Sequence, residues 1–125
     1  MANPNIVSVA SIYGKTVYDT DIAATAASLV VNAASSGELL KINSLIIANI
    51  DGTNNADITV TLRNAAGGTT YSTLAYTITV PSDATLVVIS KDSSIYLEED
   101  MSLYVLASAA GDLEIIISYE ELDDA

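Results

Sequence analysis

The chain has 125 residues, no Cys, His, Trp or Phe, and sixteen acidic against four basic residues, a net charge of −12. Its length suits one domain around a single core. The missing residue types exclude disulfides, thiolate chemistry and histidine-based catalysis or metal binding. Lys15, Lys41, Arg63 and Lys91 stand singly, which argues against direct nucleic-acid binding and against an anionic membrane surface.

The hydrophobic fraction of 50% is rich in alanine, and tyrosine is the sole aromatic, with seven copies. A core of Ile, Leu, Val and Ala packs thin layers, so some stabilising burial is expected from neighbouring subunits. The acidity reads as solubility through self-repulsion. Met1-Ala-Asn-Pro-Asn lacks the basic and apolar regions of a secretory signal, and no apolar stretch reaches the ~20 residues that cross a bilayer. A soluble product made in the cytoplasm is expected.

In chain order, residues 1–5 form a short N-terminal arm. Residues 6–13, IVSVASIY, alternate as a strand that Gly14-Lys15 breaks, and Thr16-Val17-Tyr18 continue as a short strand or extended edge. This terminal region pairs either within the chain or with a neighbour's sheet. Asp19-Thr20-Asp21 and the alanines after it have helix capping and propensity in their favour. Ser28-Leu29-Val30-Val31 is β-like, however, so a loop leading into a strand over 26–32 is the reading adopted. Ser35-Ser36-Gly37 is a turn.

The longest apolar run, Leu45 to Ile50, is followed by the turn signal Asp51-Gly52-Thr53-Asn54-Asn55 and the alternation Ile58/Val60/Leu62. This pattern predicts a central hairpin with strands over 38–50 and 56–64. Gly67-Gly68 suit a tight turn with positive φ. The strand over 69–80 then places Leu74, Tyr76, Ile78 and Val80 on one face. Pro81 ends it. Shorter strands follow over 86–89, 95–97 and 101–108, and the last over 113–119, with Ile115 and Ile117 inward. The fold class is all-β: a single-domain antiparallel β-sandwich or jelly roll of about eight strands over 6–119. An acidic solvated tail over 120–125 completes the chain.

Carboxylates cluster at Glu98/Glu99/Asp100, at Asp112/Glu114 and in the tail. A hydrolytic acid–base pair needs two carboxyls at fixed separation in a cleft, one with a raised pKa. These sit in predicted turns, where solvated charge is the simpler account. Asp51, Asn54, Asn55 and Asp57 offer hard oxygen ligands for calcium, with Glu98–Asp100 as a second possibility. The spacing does not match a twelve-residue calcium loop, and Asn and Asp favour turns for backbone reasons of their own. No serine-nucleophile elbow or phosphate-binding glycine loop is present. No catalytic, cofactor or metal residue is therefore assigned, and the chain is not expected to be an enzyme. Tyr13, Tyr71, Tyr96 and Tyr104 offer a contact surface for a carbohydrate or protein, against the simpler role of core or rim packing.

Three stretches carry a resemblance: MANPNIVSVASIYGKT, LLKINSLIIANIDGTNNADITVTL, and VPSDATLVVISKDSSIYLEEDMSLYVLASAAGDLEIIISYEEL. Over most of its length the chain resembles small acidic virion structural proteins of tailed bacteriophages, especially those of marine cyanobacteria. The resemblance implies a capsid decoration (cement) protein on the outer capsid surface of the virion. It would be a homo-oligomer, with a trimer favoured, and its partner the major capsid protein. The alternative is a tail, fibre or knob component that binds a host-surface glycan or another virion protein. The resemblance transfers no catalytic or ligand residue.

Overall fold

The computed structural model describes residues 4–124. Nine strands form: β1 (Ser11–Asp19), β2 (Ala27–Asn32), β3 (Glu38–Asn49), β4 (Ala56–Arg63), β5 (Thr70–Val80), β6 (Thr85–Ile89), β7 (Ile95–Leu97), β8 (Met101–Ala107) and β9 (Leu113–Asp123). One sheet runs β1-β9-β3-β6, with β7 also on β3, and the second runs β2-β8-β4-β5. All pairings are antiparallel. The chain alternates between the sheets through its first four strands, the wrapped order of a jelly roll. The expected all-β sandwich is the fold observed.

Between the sheets lies a core of small aliphatic side chains. Ile42, Leu45 and Ile47 of β3 and Ile115 and Ile117 of β9 meet Ile58 and Val60 of β4 and Leu103 and Val105 of β8. Each set alternates along its strand, as a half-buried sheet requires, with β3 changing phase once at a bulge between Ile42 and Ser44.

Four expectations need correction. The predicted central hairpin does not exist, because β3 and β4 belong to different sheets. Their apolar faces meet across the core instead of lying side by side. Asn49, at the end of β3, makes this corner. Its buried amide donates to Asn54 O (3.0 Å) and Val80 O (2.9 Å), while Oδ1 accepts Asp51 N–H at 2.9 Å.

Second, residues 6–10 are not a strand. Ser8 N–H bonds Asn5 O in a turn, and regular pairing starts at Ser11 and continues through Gly14-Lys15 to Asp19. The polar Ser and Asn around Ile6 and Val7 hydrogen-bond locally, with Asn5 Oδ1 accepting Val7 N–H at 3.0 Å, and this competes with a ladder.

Third, 120–123 is no free tail. Glu120 to Asp123 pair with β1 on one side and β3 on the other. Leu122 is buried, and Lys15 bonds Glu121 at 2.8 Å, so pairing and one opposite charge hold acidic residues in the sheet. Ala125 lies outside the described residues, as do positions 1–3 of the expected arm.

Fourth, the face of β5 changes phase midway. Ile58 pairs Ile78 but Val60 pairs Ala75, leaving Tyr76 and Thr77 opposite the single residue Thr59. This is a β-bulge. Thr77 takes φ +46°, and its N–H donates to Thr59 Oγ1 at 3.1 Å. Ala75 is buried and Tyr76 turned outward, against the sequence alternation.

A second asparagine, Asn32 at the end of β2, repeats the corner device. Its amide donates to Glu38 O (3.0 Å) and Leu97 O (2.9 Å), and its Oδ1 accepts from the Ser36 hydroxyl. Replacing Asn49 by Ala leaves the carbonyls of Asn54 and Val80 without this donor. We expect a loss of about 2–4 kcal/mol in denaturant unfolding at unchanged fold. Asn49→Asp should cost as much near neutral pH, because a carboxylate cannot donate.

Candidate functional site

The sequence-derived candidates separate once folded. Asp51 caps its own turn: Oδ1 accepts Thr53 N–H at 2.7 Å and Asn54 N–H at 3.1 Å, and Oδ2 accepts the Asn54 amide at 3.1 Å. Asn55 Oδ1 accepts Ser82 N–H at 3.1 Å, and Asp57, already on β4, accepts from the Thr79 hydroxyl at 2.7 Å. The four oxygen-bearing residues thus each pin a different piece of backbone or side chain. The Glu98–Asp100 corner works similarly. Glu99 Oε2 accepts Gly37 N–H and Asp100 Oδ1 accepts Ala65 N–H, both at 3.1 Å, and Asp100 itself takes φ +63°.

The tyrosines are divided between the sheets. Tyr13 and Tyr96 lie on β1 and β7, whereas Tyr71 and Tyr104 lie on β5 and β8. Tyr71 O–H reaches Asp100 O at 3.5 Å and Tyr104 O–H reaches Ala66 O at 3.4 Å. Arg63 lies 4.7 Å over the Tyr104 ring, a cation–π contact. Gly67, at φ +84°, runs directly under that ring, where any Cβ would collide with it. Tyr104 therefore braces the 64–68 turn, and Tyr71 reaches the Glu98–Asp100 corner.

Two carboxylate groups do converge. Glu38, Glu121 and Asp123 bring oxygens within 4.8 Å of one another, the arrangement that could hold a cation among the described residues. Lys15 Nζ already bonds Glu121 there. Desolvation, then the charges of Glu121 and Asp123, raises the Glu38 carboxyl above its ordinary value. At one end of the sandwich, Asp112 in the β8–β9 turn meets Asp51. The shared hydrogen bond raises Asp112, with desolvation and the charges of Asp51 and Asp21 adding to it. Asp51 is lowered, first by its two backbone N–H donors. Of the pair, Asp112 is therefore the one that takes up a proton first as pH falls.

The feature that the sequence did not announce as a site lies on the outer face of the β1-β9-β3-β6 sheet. Register places Tyr18 beside Ile116, Ile116 beside Ile46, and Ile46 beside Val87. An apolar stripe thus crosses all four strands at right angles to them. Tyr18 is 70% exposed, Val87 54% and Ile116 45%. Tyr18, Ile46, Ala48 and Ile116 line a groove of about 320 Å³, with Asp19, Thr20 and Glu114 also at its walls. The signal was present in Leu45-Ile46-Ile47 and Ile115-Ile116-Ile117, where apolar residues occupy both phases of a strand. Such runs mean that both faces are suited to cover. No helix among the described residues is long and apolar enough to cross a membrane.

The raised carboxyls give a pH dependence of definite sign. A group raised by folding binds its proton more tightly in the native state. Its stabilisation is full below the unfolded value and is lost as pH rises through the folded one. Asp112 and Glu38 act in this sense, and the self-repulsion of a net charge of −12 acts with them. Asp51, lowered, acts oppositely, and only once pH falls below the ordinary carboxylate range. The melting temperature should therefore rise as pH is lowered from neutral toward the ordinary carboxylate range. Asp112→Asn, whose amide donates to Asp51 without a titrating proton, should flatten that rise. An unchanged slope would remove the pair from the account.

No family model matches the chain, and no curated protein does. Among solved structures it is similar to a chain of the Bacillus endospore appendages, described as a novel family of disulfide-linked pili. That likeness covers 99% of this chain and 100% of the other, at 17% identity and a TM-score of 0.52. It is also similar to a chain of the T13 particle of the virus IBDV, over 94% of this chain and 36% of the other, at 11% identity and a TM-score of 0.42. The appendage likeness, spanning both chains end to end, shows a shared fold.

Proposed function

We propose that this chain is a structural subunit of a larger assembly, and specifically a capsid decoration protein of a tailed bacteriophage. The observation that carries the reading is the outward apolar stripe Tyr18–Ile116–Ile46–Val87, a face made for contact on a chain whose polar groups are committed to turns and corners. A contiguous exposed apolar patch rimmed by polar residues marks an interaction surface. The end-to-end likeness to an appendage chain supports an assembling subunit. The resemblance to phage virion proteins supports the head shell as its location and the major capsid protein as its partner.

In this reading the protein is not an enzyme. It stabilises the shell by burying apolar area between capsid subunits, as an oligomer for which a trimer is favoured. The edge strands β1, β6, β2 and β5 add backbone donors and acceptors for strand addition. With no cysteine in the sequence, these contacts cannot be disulfides, unlike those of the disulfide-linked pili.

Quantitative mass spectrometry of purified particles, combined with electron microscopy, tests this. We expect copies on the scale of the capsid lattice, spread over the outer shell. A few copies confined to the tail would replace decoration by the tail, fibre or knob reading. Absence from particles would end both.

A further inference from the structure

We propose that the groove between Tyr18 and Ile46 receives residues 4–10 of a second copy of this chain, so that copies join head to tail. The inference deepens the reading of the protein as an assembling subunit, but does not depend on a capsid.

Four observations carry it. The segment 4–10, PNIVSVA, lies outside every strand, and its Ile6 and Val7 are 52% and 89% exposed. It leaves the sheet where Ala10 N–H bonds Asp123 O, at the Ser11 end of β1. The groove lies at the opposite end of the same strand, beside Tyr18 and Asp19. Eight residues of strand separate Ala10 from Tyr18, roughly 26 Å, and the chain turns at Asn5–Ser8 with Pro4 buried. The segment as folded therefore does not reach its own groove, whereas a copy stacked on the far end would meet it.

Charge selects the same occupant. Two copies of the striped face pressed together would oppose Asp19 and Glu114 of each to those of the other. The first eighteen residues, in contrast, carry Lys15 and no acidic side chain, so this apolar segment meets the acidic rim without repulsion. An arm at one end and a receptor at the other make a heterologous contact, which propagates into rings or filaments. A patch of four side chains falls below the area of a standard interface, so each junction is weak and assembly depends on concentration.

The test uses the full chain in analytical ultracentrifugation from about 1 μM to about 1 mM, the span of weak affinities, at low and high salt. Wild type should show a ladder of oligomers that lengthens with concentration and with salt, since salt screens the overall repulsion. Val7→Asp removes the arm and Ile116→Glu the receptor, with like charges so that the two altered surfaces cannot pair. Both positions are exposed, and unchanged melting temperatures would verify the fold. Each variant alone should stay monomeric. Their equimolar mixture should stop at dimers, because it contains one working arm and one working groove per pair. A wild type that is monomeric throughout overturns the proposal, as does either variant assembling like wild type. So does a mixture that polymerises past dimers. These outcomes are independent of whether the protein is found in particles.

Discussion

Two buried asparagines hold this sandwich in its shape. A jelly roll must pass its chain repeatedly from one sheet to the other, and each passage strands carbonyls that no ladder can reach. At the β2–β3 and β3–β4 corners those carbonyls are taken by the amides of Asn32 and Asn49, with 0% and 3% exposure. Each amide joins two segments distant in sequence, Glu38 with Leu97 and Asn54 with Val80. Asparagine suits the task because it offers two donors and an acceptor on a short stem. The aliphatic core supplies most of the cohesion, but it is non-directional and would accept other pairings of the same faces. Asn49 favours the corner over a β3–β4 hairpin, since the corner gives its buried amide both Asn54 O and Val80 O.

The corners also explain how the acidic turns survive. Asp51, Glu99 and Asp100 each accept backbone N–H groups, at an exposed turn for Asp51 and at a part-buried corner for Glu99 and Asp100, and such charge-assisted bonds are the stronger kind. The carboxylates that look like chemistry in a linear reading are therefore turn locks. Ser35, Asp83 and Asp100 hold left-handed φ near +60°, a region that Asp tolerates better than most residues.

Element positions were largely legible because period-two alternation survives in β3, β4, β8 and β9. The inward assignment of Ile115 and Ile117 follows from it directly. Pairing was less legible. An apolar strand, a Gly/Asn turn and another apolar strand are compatible with a hairpin or a corner, and the deciding residue, Asn49, reads in sequence as one polar position within the apolar run Leu45 to Ile50. The β5 bulge was invisible for a related reason: Thr77 at φ +46° is an unfavourable choice that local propensity argues against, and it is supported by the Thr59 hydroxyl across the ladder. At the C-terminus, composition misled. Four acids in six residues look like a tail, yet Leu122 lies in phase with its neighbours and the ladder on both sides of β9 outweighs the charge. The candidate surface was half legible, since the double-phase isoleucine runs were visible but their lateral alignment with Tyr18 and Val87 depends on register.

Register also reconciles an apolar face with high acidity. A bare stripe across a sheet would make a neutral protein stick to itself face to face. Here Asp19 and Glu114 stand beside the stripe, and the net charge of −12 makes indiscriminate contact between copies costly at low ionic strength. The stripe remains accessible to an apolar partner without acidic side chains of its own. Specificity of this kind comes as much from what is repelled as from what is bound, and it places the selective element in the rim carboxylates rather than in the isoleucines. The same rim would select whether the partner is another copy or a shell protein, because in both cases the charge permits only a partner segment that is neutral or basic.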